Sequence, residues 1–206
     1  MNYLEFLIKH PEAAKKITII EGPDAVGKTY NVNRIKDAFS KTDKELRLVR
    51  CPDNRGGATI RNVIMSDDLA RHPDALMFLF LADFVYAFES IIKPELDNPN
   101  VYFLLDRFLS STAIYQNASV PYLNRVMERY TDFCNAFSKA QYIYLHPDNF
   151  EEHKKRLSSK KGEELNHLDP VGDEAIKNQI EAYTDFQNKH KIFGLLGNFN
   201  ADRVSV

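Results

Sequence analysis

Residues Gly22-Pro23-Asp24-Ala25-Val26-Gly27-Lys28-Thr29 place two glycines, a lysine and a hydroxyl in the spacing G-x-x-x-x-G-K-[ST]. Between a strand and a helix, such a loop wraps its backbone N–H groups around the β- and γ-phosphates of a nucleotide. The positive end of the following helix adds to the attraction. Lys28 brings a charge to the transferring phosphate, and the Thr29 hydroxyl can ligate Mg2+. A second pair, Asp106-Arg107, closes the apolar run Val101–Leu105. An aspartate at such a strand end can hold Mg2+ water or accept an acceptor's proton. The adjacent arginine can bridge donor and acceptor phosphates in a bidentate way that lysine does poorly. Switches, motors and transporters share the first motif. A guanine-reading N-K-x-D is missing, since Asn188-Lys189 is followed by His190-Lys191 in a predicted helix.

These groups need a scaffold, and the hydrophobic pattern supplies one. Lys16–Glu21, Glu45–Arg50, Val101–Asp106 and Gln141–Leu145 read as buried strands, with Ile192–Leu196 a weaker fifth. Lys28–Phe39, Thr59–Met65, Asp74–Ile92, Val120–Phe137 and Asp173–His190 read as helices. This alternation predicts an α/β fold: a parallel sheet of about five strands with helices on both faces, ligands gathering at the carboxyl ends of the strands. The helix at Asp74–Ile92 is apolar nearly all round, which calls for cover on more than one side, by the core and by a partner subunit in a homodimer. Tyr3, Leu4, Phe6, Leu7 and Ile8 suggest a short helix in an extension over residues 1–15, packed on one domain that spans residues 1–206.

The 206 residues are enough for one well-buried core, and 44% hydrophobic content argues against disorder. A net charge of −2 lacks the basic excess of proteins that live on nucleic-acid polymers, but leaves small phosphorylated substrates open. Cys51 and Cys134 form no C-x-x-C pair and read as reduced thiols. Glu5 and Lys9 interrupt the N-terminal apolar stretch, which does not read as a secretory leader. Asp83 and Glu89 interrupt Leu76–Ile92, which reads as a core helix and not a membrane span. A cytoplasmic protein is the expectation.

From about Lys16 to Phe186 the sequence resembles the thymidylate kinase family. Glu21-Gly22-Pro23-Asp24 through Thr29 is similar to that family's E-G-x-[DE]-x-x-G-K-[ST]. Asp106-Arg107-Phe108 with Ser111 to Gln116 is similar to its D-R-[YHF] and S-x-x-A-Y-Q, with Ile114 in place of the alanine. Arg50-Cys51-Pro52-Asp53-Asn54-Arg55 looks like its R-[FE]-P-x-R segment. The resemblance implies a P-loop nucleoside monophosphate kinase with ATP as donor, Mg2+ as metal, and a pyrimidine deoxynucleotide as acceptor. It implies a donor site along Gly22, Asp24, Ala25, Val26, Gly27, Lys28, Thr29 and Tyr30, with Arg156 stacking on the adenine. Asp24 would hold the sugar hydroxyl, Arg107 and Arg55 the acceptor phosphate, and Ser111, Tyr115, Gln116 and Tyr183 the sugar and base region. Residues 156–169 fall where the family has its mobile lid. Because Ala25 and Val26 bring no arginine into the loop, Lys160 and Lys161 are the cations available to the transferring phosphate.

One departure bears on specificity. The family reads its base with F-x-x-x-R, the phenylalanine stacking and the arginine donating to O4. Here Phe80 keeps the stacking ring, and Phe84 stands where the arginine would be. The expected acceptor is dTMP, with dUMP or a 5-modified dUMP left open, Gln116 or Asp83 compensating. A deoxynucleoside kinase and a non-catalytic nucleotide-binding module of a larger assembly are the rival readings. Lys28 is expected to stand open to solvent in the empty loop.

Overall fold

The computed structural model describes residues 1–52, 58–66, 72–159, 170–189 and 201–205. At its centre lies β1 (Ile17–Glu21), every residue of which is buried. The sheet adds β2 (Glu45–Arg50), β3 (Val101–Asp106), β4 (Gln141–His146) and β5 (Ala201–Ser205), in the order β2-β3-β1-β4-β5. All four pairings are parallel, so Glu21, Arg50, Asp106 and His146 come to the same edge of the sheet. The anticipated fifth strand at 192–196 lies outside the described residues; β5 follows it, at Ala201–Ser205.

The period-two alternation of the strands sorts their side chains onto two faces. Ile17, Ile19, Phe103, Leu105, Tyr142 and Tyr144 join one core, with residues of α4 (Pro73–Ala87), α5 (Leu109–Tyr115), α6 (Val120–Met127), α7 (Thr131–Phe137) and α9 (Asp173–Lys189). Ile20, Leu104, Ile143 and Leu145 join the other, beneath α1 (Tyr3–Lys9) and α2 (Lys28–Phe39). The result is the three-layer arrangement of a P-loop fold. Leu4 and Leu7 of α1 are each 1% exposed, and Arg34 of α2 pairs with Glu5 at 2.9 Å, so the N-terminal segment is docked on α2.

Several helices differ from expectation for local reasons. The continuous helix anticipated over Val120–Phe137 is broken between Met127 and Thr131. Leu123 and Met127 form one buried i,i+4 pair, and Phe133 and Phe137 another. All four positions fall within about 120° of one helical face, so apolar phase alone would allow a continuous helix. The chain instead turns after Met127, whose carbonyl accepts from the Tyr130 N–H at 2.8 Å and from the Cys134 thiol at 3.2 Å. Two short helices went unread, α5 and α8 (Phe150–Ser158). α5 is built from Ser-Ser-Thr, residues weak in helix propensity. α8 carried a legible start signal, because Asn149 caps it by accepting from the Glu152 N–H at 3.0 Å. The helix α3 occupies Ala58–Ile64.

The apolar helix begins at Pro73 and passes through a π-helical turn (Phe88–Ile92) and a 3-10 turn (Lys93–Glu95). It is long and apolar enough to cross a membrane, yet half of its most apolar window is buried inside the protein. Leu76, Met77, Phe80, Leu81, Phe84 and Ala87 face the core, while Phe78 remains 47% and Tyr86 41% exposed. Among the described residues the helix is therefore covered on one side.

Candidate active site

β1 ends on Glu21, and the chain turns through Gly22 into the loop that leads to α2. Gly22 has φ 148°, and a Cβ there would come within 2.6 Å of the Leu145 carbonyl oxygen. A side chain is thus excluded where the loop leaves the sheet. Ala25 (φ 57°) and Gly27 (φ 99°) also take left-handed backbone, which curls the loop above α2. Lys28 is 9% exposed, and its Nζ donates to the carbonyls of Gly22 at 2.9 Å and Pro23 at 2.6 Å. It is buried rather than open, because the curled loop offers it two acceptors. Burial, with the Arg107 charge nearby, pulls its pKa down to about 7. Thr29 and Tyr30 are exposed on the first turn of α2.

The centre of the site is Arg107, in the turn after β3. Its backbone is left-handed (φ 73°) and its N–H donates to Ile20 O at 3.0 Å. A non-glycine residue in this region is strained, and the surrounding bonds hold it there. The guanidinium pairs with Asp24 and donates to Gly22 O (3.2 Å), Ser111 Oγ (3.1 Å) and the Tyr183 hydroxyl (2.9 Å). It also lies 5.1 Å from the Tyr115 ring centre. Burial alone would lower its pKa, but Tyr115, Tyr183 and Asp24 outweigh that and leave it firmly charged. Tyr115 donates to the other Asp24 oxygen at 2.5 Å, and the Gln179 amide reaches Tyr115 OH at 3.0 Å. The structure thus brings Asp24, Arg107, Ser111, Tyr115 and Tyr183 into one cluster.

Beneath it, Glu21 anchors the turn. Fully buried, it accepts from Phe108 N (2.8 Å), Ser110 Oγ (2.7 Å) and Ser111 Oγ (2.6 Å). Burial pushes its carboxyl above the usual range, opposed by the Ser111 and Ser110 hydroxyls and by Arg107. Glu21 was legible only as part of a motif; a lone carboxylate ending an apolar strand was the signal of its anchoring task. Ser110 and Gln179 gave no comparable signal, because their partners lie far away in the chain.

Beside the cluster opens a cavity of about 300 Å3, lined by Asp24, Arg107, Ser111, Tyr115 and Gln116 together with Phe80, Phe84, Phe108 and Thr112. Arg50, Arg61 and Asp106 complete its polar end, Arg50 Nε lying 3.4 Å from Asp106. Arg50 and Arg61 are cations the sequence reading did not single out as ligands. Arg55, Lys160 and Lys161 lie outside the described residues. Phe84 is 3% exposed and meets Phe108 edge-on at 5.0 Å. It is therefore both cavity wall and core. Phe84→Arg should lower stability by about 3–5 kcal/mol, since it removes a packed ring and buries a charge. Thermal melts should show a fall of roughly 10 °C; an unchanged Tm would mean the new side chain reaches solvent.

Next to the loop, Val26, Gly27, Tyr30, Asn31, Arg34 and Arg156 line a second opening of about 470 Å3. Arg156, on the last turn of α8, is held by Glu152 at 2.6 Å. The curled loop therefore borders two openings, one rich in arginine and aromatic rings, the other flanked by Tyr30 and Arg156.

A family model described as thymidylate kinase matches residues 20–193. The chain belongs to the thymidylate kinase family. Among curated thymidylate kinases, that of Mesoplasma florum is 32% identical over 174 residues, covering 79% of this chain and 78% of its own length. The one from Nitratidesulfovibrio vulgaris is 34% identical over 100 residues, 47% of this chain and 45% of its own. That from Prochlorococcus marinus strain NATL1A is 30% identical over 109 residues, 49% and 51% respectively. The chain thus spans about half the length of two of these thymidylate kinases and more than three quarters of the third. The family is one of nucleoside monophosphate kinases.

Proposed function

We propose that the protein transfers the γ-phosphoryl group of ATP to a pyrimidine deoxynucleoside monophosphate, dTMP foremost, in the supply of deoxynucleoside triphosphates. The observation that carries the reading is the Arg107 turn. A strained, fully charged guanidinium sits between the carbonyl of Gly22 in the phosphate loop and a cavity with aromatic walls. One residue can therefore touch both phosphates of an in-line transfer.

The donor fits the loop, whose glycine backbone leaves no room for a side chain at Gly22 and whose lysine is already turned inward. Thr29 and Asp106 are the residues that would hold Mg2+, at the start of α2 and the end of β3. When bound, the ion neutralises charge on the phosphate oxygens. The protein's own part is position and charge. Lys28 exchanges the loop carbonyls for phosphate oxygens, and the anion restores its charge. Arg107, oriented by Ser111 and Tyr183, holds the acceptor phosphate. Asp24 and Tyr115 face the sugar, and Phe80 stacks on the base. Tyr30 and Arg156 flank the adenine. Arg55, with Lys160 and Lys161 in a lid over 156–169, adds positive charge as the site closes. Exposed Phe78 and Tyr122, edge to face at 6.3 Å, provide an apolar face for a second copy in a cytoplasmic homodimer.

The test is ADP release from ATP with dTMP, dUMP, dCMP, dGMP, AMP, 5-hydroxymethyl-dUMP and thymidine. Turnover with dTMP and none with thymidine is expected. Thymidine as the better acceptor would make the protein a deoxynucleoside kinase, and ATP binding without ADP release a binding module. A second expectation concerns the lid. Lys160 and Lys161, both changed to alanine, should lower kcat about tenfold or more while changing monophosphate affinity little, the pattern of contacts made mainly in the transition state. Equal kcat would assign both to the solvated surface.

A further inference from the structure

Of the described residues that line the acceptor cavity, Gln116 alone is buried with unpartnered polar side-chain atoms. It is 6% exposed, and neither its amide nitrogen nor its amide oxygen has a hydrogen-bond partner. A buried carboxamide left this way costs free energy that a ligand would recover. Gln116 ends α5 beside Thr112, four residues earlier on the same face, and both line the cavity with Phe80 and Phe84. The neighbouring wall at position 84 is a hydrocarbon ring packed on Phe108, which neither donates nor accepts.

We propose that this pocket takes 4-oxo and 4-amino pyrimidine deoxynucleotides alike, with Gln116 as the residue that reads both. The inference rests on the kinase reading above and adds the breadth of its substrate class. A 4-oxopyrimidine presents N3–H as donor beside O4 as acceptor; a 4-aminopyrimidine presents N3 as acceptor beside an N4–H donor. The two patterns are mirror images. A carboxamide carries one acceptor and one donor side by side, and half a turn of its last torsion exchanges them. That torsion is broad and roughly two-fold, so either orientation is accessible. A cavity rejects a base strongly when it holds a donor of fixed sense, because the wrong base leaves that donor buried and unpaired. An arginine at position 84 would be such a donor; phenylalanine is not. Arg50 and Arg61 line the cavity's polar end with Asp106. Around Gln116, Phe80 and Phe84 what remains to discriminate is shape, and dTMP and its 4-amino counterpart share their shape.

The experiment compares kcat/KM with saturating ATP for dTMP, dUMP, dCMP and 5-methyl-dCMP. The pair dTMP and 5-methyl-dCMP keeps the 5-methyl group and changes only the hydrogen-bonding edge. Their kcat/KM values should agree within about a hundredfold, whereas a fixed-sense donor would separate them by roughly 10^4 or more. Gln116→Leu should lower both by about tenfold or more and leave their ratio nearly unchanged. A melting curve shows whether that variant is folded, and the wild-type ratio decides the matter without it. A wild-type preference for dTMP beyond about a hundredfold overturns the inference and leaves the kinase reading standing. So does a folded Gln116→Leu enzyme with both rates intact. Absence of ADP release with all four acceptors overturns the kinase reading itself, and this inference with it.

Discussion

Replacing Arg107 with lysine should lower kcat/KM for the monophosphate by on the order of a hundredfold to a thousandfold, the usual effect of losing an aimed donor in an active site. Lysine keeps the charge but cannot reproduce the fork. The native guanidinium engages Gly22 O, Ser111 Oγ, Tyr183 OH and Asp24 at once, from a turn whose left-handed backbone leaves it little freedom. A lysine ammonium is a compact point charge that holds one or two of these partners and cannot bridge two phosphates in a plane. The loss should fall mainly on kcat, with ATP affinity changing less than about tenfold, because Lys28 and the loop amides still hold the donor. Arg107→Ala is a harsher change. It leaves Asp24 half-buried without its cation and should also cost about 3–5 kcal/mol of stability. Steady-state kinetics of the lysine variant, with a melt as control, make the check; kcat/KM within threefold of the wild type would remove Arg107 from the chemistry.

Lys28→Met should do two opposite things. Turnover should fall by on the order of a hundredfold or more, since a charge that meets the transferring phosphate is gone. Stability in phosphate-free buffer at neutral pH should rise. Lys28 is held beneath the loop with its pKa lowered to about 7 by burial and by Arg107. The unfolded chain, whose lysine titrates near 10.5, binds more protons between these two values. The native protein therefore gains stability as pH climbs from about 7 to about 10.5, and below pH 7 carries the full cost of a buried charge. Methionine removes that cost and the pH dependence with it. Two hydrogen bonds, to Gly22 O and Pro23 O, are also lost, at roughly 1 kcal/mol each. The net gain should be about 2–3 kcal/mol at pH 6, fall to zero near pH 9 and become a loss of about 2 kcal/mol near pH 10.5, where only the missing hydrogen bonds remain. Denaturant melts across that range test it; a gain independent of pH would mean Lys28 is fully charged in the empty loop.

Much of the scaffold could be read directly from residue order. β1, β3 and β4 were legible because mostly apolar runs such as Ile17–Ile20 and Val101–Leu105 suit a sheet buried on both faces, as these are. β2 was read as buried, but its alternating charges sit at the sheet edge and only Val49 is buried. The phosphate loop was legible because glycines, lysine and threonine at fixed spacing encode their chemistry locally. Asp106-Arg107 stood out for the same reason, polar residues at the end of an apolar strand. The break after Met127 was not written there: Leu123, Met127, Phe133 and Phe137 share one helical face, and only the packed chain shows the turn between them. α8 announced itself only through its Asn149 cap.

Other features depend on residues far apart in the chain. Nothing near Glu21 states that it will receive Ser110 and Ser111, some ninety positions later, or that this network will pin the turn carrying Arg107. Gln179 meets Asp24 across 155 positions. Lys28 was expected open and is buried, because the curvature of the loop decides where its Nζ finds acceptors. Position 84 shows the division most clearly. Its identity as phenylalanine, a ring with no donor, is written in the sequence. Whether that ring faces cavity or core depends on how α4 lies against Phe108, and the fold makes it do both. Residue type determines what chemistry is available, since donors, charges and rings are properties of single side chains. Tertiary packing decides which of them meet, because burial and distance are properties of the whole chain.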